Sequence, residues 1–216
     1  MATITISRQF GSHGDTVAQL LSDRLGYRYF DKNLMIGLAT QLGLSASKVV
    51  DLSEEKPQAQ TLVERLFASF ASPMSDPGLW AASAEASTQE QLTVATIRHL
   101  IQAAHAQGNV VIIGRGGQAV LRGLPDVLHV RLVAPLDLRI KRHGERAGLD
   151  PDAAREVVLR RDQASVDFVR RFYNLDSTDP ALYDLVINTC KMTPAAAVEL
   201  IVQALALLPA GGKAPA

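Results

Sequence analysis

Arg8, Ser12, His13 and Asp15 crowd around Gly11 and Gly14 within residues 8–15, and the chemistry this cluster supports is the holding of phosphate. From Thr3 on, an alternating strand runs straight into the glycine-bearing turn, and an amphipathic helix carrying Val17, Leu20, Leu21 and Leu25 follows at once. Such a strand–turn–helix aims backbone N–H groups and a helix N-terminus at an anion. The turn departs from the phosphate-binding pattern G-x-x-x-x-G-K-[ST], whose Lys reaches the outer phosphates. Superposing strand and helix puts Arg8 at the first Gly, Gly14 at the Lys and Asp15 at the Ser/Thr. The frame is present and its usual cation is missing. Arg8 is the obvious replacement, a permanent cation able to fork onto phosphate oxygens. Asp15 favours the helix dipole but places negative charge where phosphate should land, unless it binds Mg2+. His13 adds a pH-dependent contact. With Gly11, Ser12, Gly14 and Thr16 these residues form the candidate nucleotide loop. The plainer alternative is a tight turn whose helix is capped by Asp15 or Ser12, with Arg8 in a surface ion pair.

The elements that must position this loop alternate along the chain. Gly26 is placed to end the first helix, and residues 27–30 read as a short second strand closed by Asp31. Residues 33–42 look helical, with short helices near 45–52 and 58–71 and a Pro/Gly-punctuated loop at 72–78. A capping box at 88–91 precedes a long helix to about Ala106. Residues 45–107 contain no convincing strand, so an all-helical segment interrupts the strand series. Residues 110–113 form an unbroken apolar run, as in a strand covered on both faces, and end in Gly114-Arg115-Gly116-Gly117. A strand at 127–133 leads through Pro135 into a helix to about Arg146. Asp150-Pro151 opens a further long helix bearing Arg155, Arg160, Arg161, Arg170 and Arg171. The last strand is 185–188, and Thr193-Pro194 opens a closing helix to about Leu208. Five strands separated by helices argue for an α/β fold, a parallel sheet sandwiched by helices, with ligands at the strands' carboxyl ends. Arg8, Asp31 and Arg115 fall at such ends.

Composition narrows the partners. The chain has 216 residues, 47% of them apolar, which suits one domain with an inserted subdomain. Net formal charge is zero, giving no bulk attraction to nucleic acid or to an anionic membrane. The one cysteine, Cys190, excludes an internal disulfide, fits a reducing compartment and reads as a buried small residue. No apolar run spans a bilayer and the N-terminus lacks a signal-peptide layout, so a soluble cytoplasmic protein is expected. His129, inside a strand, reads as structural. His99, His105 and His143 show no metal-ligand spacing.

The stretches 6–14 (ISRQFGSHG), 25–31 (LGYRYFD), 111–116 (VIIGRG), 125–130 (PDVLHV) and 183–189 (YDLVINT), in this order and spacing, resemble the cytidylate-kinase-like family of P-loop nucleoside monophosphate kinases, in its branch lacking the P-loop lysine. The similarity runs from Ile4 to about Leu205. It implies a five-stranded parallel sheet flanked by helices, with a helical NMP-binding insertion at about 35–108 and an arginine-bearing lid at about 155–180. Residues 1–208 would form the single kinase-like domain, and 209–216 a flexible tail. It implies ATP with Mg2+ as donor and a pyrimidine monophosphate such as CMP or dCMP as acceptor. By this resemblance Arg115 contacts the acceptor phosphate and Asp31 belongs to the acceptor site. Arg161, Arg170 and Arg171 resemble lid arginines. Arg8, Arg115, Arg161 and Arg170 are then the candidate catalytic set, and Asp15 the candidate metal ligand. The chain departs from the family at Gly116, where an acidic residue is usual, at Gly37, where an arginine is usual, and at Asn188, where an aspartate is usual. On the plain reading Asp31 caps the next helix and the arginines form a solvated helix face. Three activities follow: a nucleotide kinase, a nucleotide-binding pseudokinase that senses without turnover, and a phosphotransferase with another small acceptor.

Overall fold

The computed structural model describes residues 2–30, 34, 38 and 94–208. In chain order these form β1 (Thr3–Arg8), α1 (Gly14–Leu25), β2 (Arg28–Tyr29), α2 (helical over 94–106), β3 (Val110–Ile113), α3 (Gly117–Val120) and β4 (Val127–Val133). There follow α4 (Leu136–Ala147), α5 (Pro151–Tyr173), a 3-10 turn (Pro180–Leu182), β5 (Leu185–Asn188) and α6 (Pro194–Ala206). The helices expected at 45–52 and 58–71, most of that at 33–42, the loop at 72–78, the capping box at 88–91, Asp31, Gly37 and the tail at 209–216 lie outside the described residues.

The five strands make one parallel sheet in the order β2-β3-β1-β4-β5. β1 is therefore central, paired with β3 from Thr3 to Ile6 and with β4 from Thr3 to Arg8. Its Thr/Ile alternation separates two buried layers. Ile4 and Ile6 join Val17, Ala18, Leu21, Val111, Val130, Leu132 and Ile201 in the core beneath α1 and α6. Thr3, Thr5 and Ser7 face the other side and are also buried. There Thr3 Oγ1 meets His105 Nδ1 at 3.0 Å, and Thr5 Oγ1 meets His129 Nδ1 at 2.6 Å. Arg131 donates to Ser7 Oγ (3.4 Å), the Tyr183 hydroxyl (3.0 Å) and the Ser177 carbonyl. Buried polar groups are tolerated when partnered, and the three hydroxyls of this row are partnered by α2 and β4.

The helix boundaries follow local chemistry. Gly26 ends α1 in the left-handed conformation (φ 65°). Asp150 Oδ1 accepts from the Asp152 and Ala153 amides at 3.1 and 3.0 Å to start α5, and Thr193 Oγ1 accepts from Ala196 N–H at 3.2 Å to start α6. Two expectations change. Leu20 is exposed, because α1 turns Val17, Ala18 and Leu21 to the sheet instead. The second strand is only Arg28–Tyr29, since its neighbour among the described residues, β3, pairs at just two positions. No helix among the described residues is long and apolar enough to cross a membrane.

Burial holds His129 below its ordinary pKa, opposed by the Asp184 carboxylate and a backbone bond at Leu121. A histidine neutral in the fold and protonated when unfolded contributes stability above about pH 6.5 that is lost as pH falls below it. Urea denaturation should therefore show lower stability at pH 5.5 than at pH 7.5, with a shallower slope in His129→Gln. Thr5→Val, which strands His129 Nδ1, should cost about 1–3 kcal/mol at pH 7.5.

Candidate active site

The loop after β1 is anchored on the ends of β4 and β5. Gln9 N–H donates to Leu132 O at 3.0 Å, and Ala134 N–H donates to Gln9 Oε1 at 3.1 Å. Ser12 is fully buried and spends both its donors here. Its N–H reaches Gln9 O (3.2 Å), and its hydroxyl reaches Gln9 O (2.7 Å) and Leu132 O (3.3 Å). Thr189 Oγ1 in turn donates to Ser12 O at 3.1 Å. The residue preceding α1 is His13, in the left-handed region (φ 63°), and no side chain caps the helix. The expected cap from Asp15 or Ser12 is thus absent, since Ser12 is turned inward. The first-turn amides of Gly14, Asp15 and Thr16 are left at the positive end of the helix dipole.

Arg8 explains why glycine stands where the phosphate-binding pattern places lysine. A Cβ on Gly14 would collide with the aliphatic stem of Arg8, whose Cβ would lie 2.6 Å away. A Cβ on Gly114, beyond β3, would lie 2.6 Å from Arg8 Nη1. The Arg8 side chain passes over one glycine and ends against the other. It is one-third exposed, and its contact with Asp15 Oδ1 is long, at 3.5 Å. An exposed pair of that length contributes little and leaves the guanidinium available.

These residues open into a cavity of about 560 Å³. Arg8, Gly11, His13, Gly14, Asp15 and Thr16 line one wall; Arg142, His143, Arg146, Arg161 and Asp162 from α4 and α5 line the other. The sequence reading missed Arg139, Arg142, Arg146 and Asp162. The signal for the three arginines was their spacing on the helix that leaves β4 directly; Asp162, on α5, had none. Arg142 binds Thr189 O (2.8 Å) and Thr189 Oγ1 (3.3 Å), tying α4 to the end of β5. His13 is held below its ordinary pKa first by burial, then by the charges of Arg142 and Arg146. His143 is lowered by burial and by Arg146 and Arg161.

Arg115 and Arg170 do not line this cavity. Arg115 (φ 55°) sits between Gly114 (φ 65°) and Gly116 (φ 73°), in a turn carried by left-handed backbone. The Tyr173 ring packs on Gly116, where an added Cβ would lie 2.6 Å from it. The ring fills the space where a side chain at 116 would stand. Arg170 is exposed in the last turn of α5. It faces Asp176, whose carboxyl is lowered first by its bonds from Thr178 and then by Arg170 and Arg131. Arg161 stacks 5.5 Å from the Phe10 ring, Arg171 stacks on Phe172, and Arg160 pairs with Glu156. Cys190 is exposed, not buried: it lies beyond the β5 edge strand, in a turn where its N–H donates to Asn188 Oδ1. Asp31 lies outside the described residues. Among the described residues no group of three His, Cys, Asp or Glu side chains gathers to hold a metal. Asp15 is the carboxylate at the mouth of the helix.

The sequence model of the cytidylate kinase-like family matches residues 3–191. The chain belongs to the cytidylate kinase-like family. It is 28% identical over 202 residues to the cytidylate kinase of Ignicoccus hospitalis, covering 93% of this chain and 97% of that one. A solved structure of an uncharacterized protein from Eubacterium ventriosum superposes with a TM-score of 0.64 at 18% identity, covering 96% and 99% of the two chains. A gluconokinase from Sinorhizobium meliloti superposes at 0.51 and 13% identity, covering 95% and 91%. Sheet and helices are those of the P-loop nucleoside monophosphate kinases, and the protein is a nucleotide-kinase-like phosphotransferase.

An anion in the cavity would offset the Arg142 and Arg146 charges that, after burial, hold the His13 pKa down. Binding of inorganic triphosphate near pH 6 should take up protons and tighten as pH falls. Calorimetry in two buffers of different ionisation enthalpy should show this uptake, reduced in His13→Gln.

Proposed function

We propose that the protein transfers the γ-phosphoryl group of ATP, with Mg2+, to a pyrimidine nucleoside monophosphate such as CMP or dCMP. The observation that carries this reading is the course of Arg8. Its stem starts at the donor loop and its guanidinium ends at Gly114, beside the turn bearing Arg115, so one cation bridges the two strand ends. Phosphoryl transfer needs little covalent help from the protein; it needs alignment and neutralised charge.

The cavity fits a polyphosphate. The uncapped amides of Gly14, Asp15 and Thr16 would take phosphate oxygens, and Arg142, Arg146 and Arg161 supply charge from the opposite wall. Mg2+ suits a site with one carboxylate, because it keeps most of its water and binds through phosphates. Asp15 and Thr16 are the residues to hold it, and when bound it would neutralise charge between the outer phosphates. Arg8 would fork onto the transferred group, and Arg115 would hold the acceptor phosphate with Asp31. Arg161, on α5, would complete the charge around the donor, whereas Arg170 stands off the cavity beside Asp176.

A different small acceptor is the second reading, and one observation favours it. The Tyr173 ring occupies the space over Gly116 where relatives of the ordinary pattern carry an acid. The acceptor side is thereby reshaped while the donor loop stays open. In a coupled ADP-release assay, Arg8→Ala should lower turnover about 10³-fold, the scale of a single charged group in such reactions, with partial recovery in Arg8→Lys. Unchanged turnover would remove Arg8 from the mechanism. The same assay across pyrimidine monophosphates and small alcohols separates the two acceptor classes, and ATP binding without ADP release anywhere would indicate a sensor.

A further inference from the structure

We infer that Asp162 and Arg139 are positioning residues for the phosphate loop, acting through the backbone of Phe10. Phe10 N–H donates to Asp162 Oδ1 at 2.8 Å, and Phe10 O accepts from Arg139 Nη1 at 3.1 Å. Arg139 Nη1 meets Asp162 Oδ2 at 2.5 Å, and Arg139 Nε donates to Ala134 O at 2.9 Å. One loop residue thus has both its backbone groups clamped by a single ion pair, whose acid comes from α5 and whose base comes from α4.

Three further observations agree. The Phe10 side chain packs with Ile140, Ala154 and Val158, the apolar contact between α4 and α5. Its ring meets His143 edge-on at 4.9 Å. The next residue, Gly11 (φ 81°), lies so close to α4 that an added Cβ would come within 2.9 Å of Arg139 O. The loop is therefore pressed against both helices at the residue before its turn.

The pair also resolves an electrostatic problem. Asp162 lines a cavity suited to phosphate, where a free carboxylate would repel the ligand. Both of its oxygens are engaged, one by an amide and one by Arg139, whose side chain is only 5% exposed. In so little water the pair holds its geometry, and removing either partner leaves a buried charge uncompensated. A polyphosphate ligand would meet the consequence, a loop already in place, without touching the pair. That consequence rests on the function proposed above; the positioning itself does not.

The test uses full-length protein and the variants Asp162→Ala and Asp162→Asn, the second of which keeps an acceptor for Phe10 N–H and preserves folding should the first fail. Hydrogen exchange without ligand should become at least tenfold faster over residues 9–16, while β4 and α6 exchange as in the wild type. Calorimetry with inorganic triphosphate should show about tenfold weaker binding, and the KM for ATP should rise with the acceptor KM unchanged. Loop exchange that stays as in the wild type, or that accelerates together with β4 and α6, would overturn the inference and leave the pair a stabilising contact. If the wild type binds no triphosphate, the nucleotide reading fails, and loop exchange alone still decides the role of Asp162.

Discussion

The central position of β1 governs everything above it. A strand hydrogen-bonded along both edges and buried on both faces has no freedom to shift by a residue, because a shift would exchange Ile4 and Ile6 with Thr5 and Ser7. The apolar core would then receive hydroxyls, and the polar layer would lose the partners of His129 and Arg131. Arg8 is the last residue of this strand, so its Cα inherits the strand's fixed position. The phosphate loop begins from a rigid point.

That rigidity changes how a cation is best delivered. A lysine on the first turn of a helix is a flexible point charge that reaches outward from the loop. Arg8 instead lies across the base of the loop, its stem over Gly14 and its planar head against Gly114. The guanidinium is pre-oriented, so less rotamer freedom is lost when it forks onto an anion. The arrangement demands glycine at both crossings, and it makes sense of a glycine where the phosphate-binding pattern has lysine. It also leaves Asp15 at the helix mouth without a strong partner, free to turn toward a cation that arrives with the phosphates.

Much of the fold was legible because its signals are local. The runs at 110–113, 127–133 and 185–188 appear as strands with those bounds, and Asp150, Thr193 and Gly26 mark helix ends by their own side-chain or backbone chemistry. The loop was legible for the same reason, as strand, turn and helix are contiguous. What was not legible depends on distant packing. Nothing in the turn itself shows that Ser12 is drawn inward by Leu132, 120 residues away, leaving α1 uncapped. Nor does residue 162 announce that its carboxylate will hold Phe10, 152 residues earlier. Both faces of β1 are dry, because its hydroxyls find partners on α2 and β4.

Composition hid the electrostatics in the same way. The chain carries 22 basic and 22 acidic side chains, and their sum gives no hint of an anion site. Placement supplies it. Arg8, Arg142, Arg146 and Arg161 converge on one cavity with the positive end of α1. Of the acids on the same walls, Asp162 is occupied by Arg139 and Phe10, while Asp15 and Glu145 are exposed to water. Charges of one sign lining a concave wall focus their field more strongly than the same charges spread over a flat surface. The neutral protein therefore holds a locally positive cleft, and the acid that lies deepest in it serves to hold the loop without opposing the ligand. The positive cleft and the fixed loop arise from the same feature: the Arg139–Asp162 pair neutralises that acid and, through Phe10, fixes the backbone that the phosphates would meet.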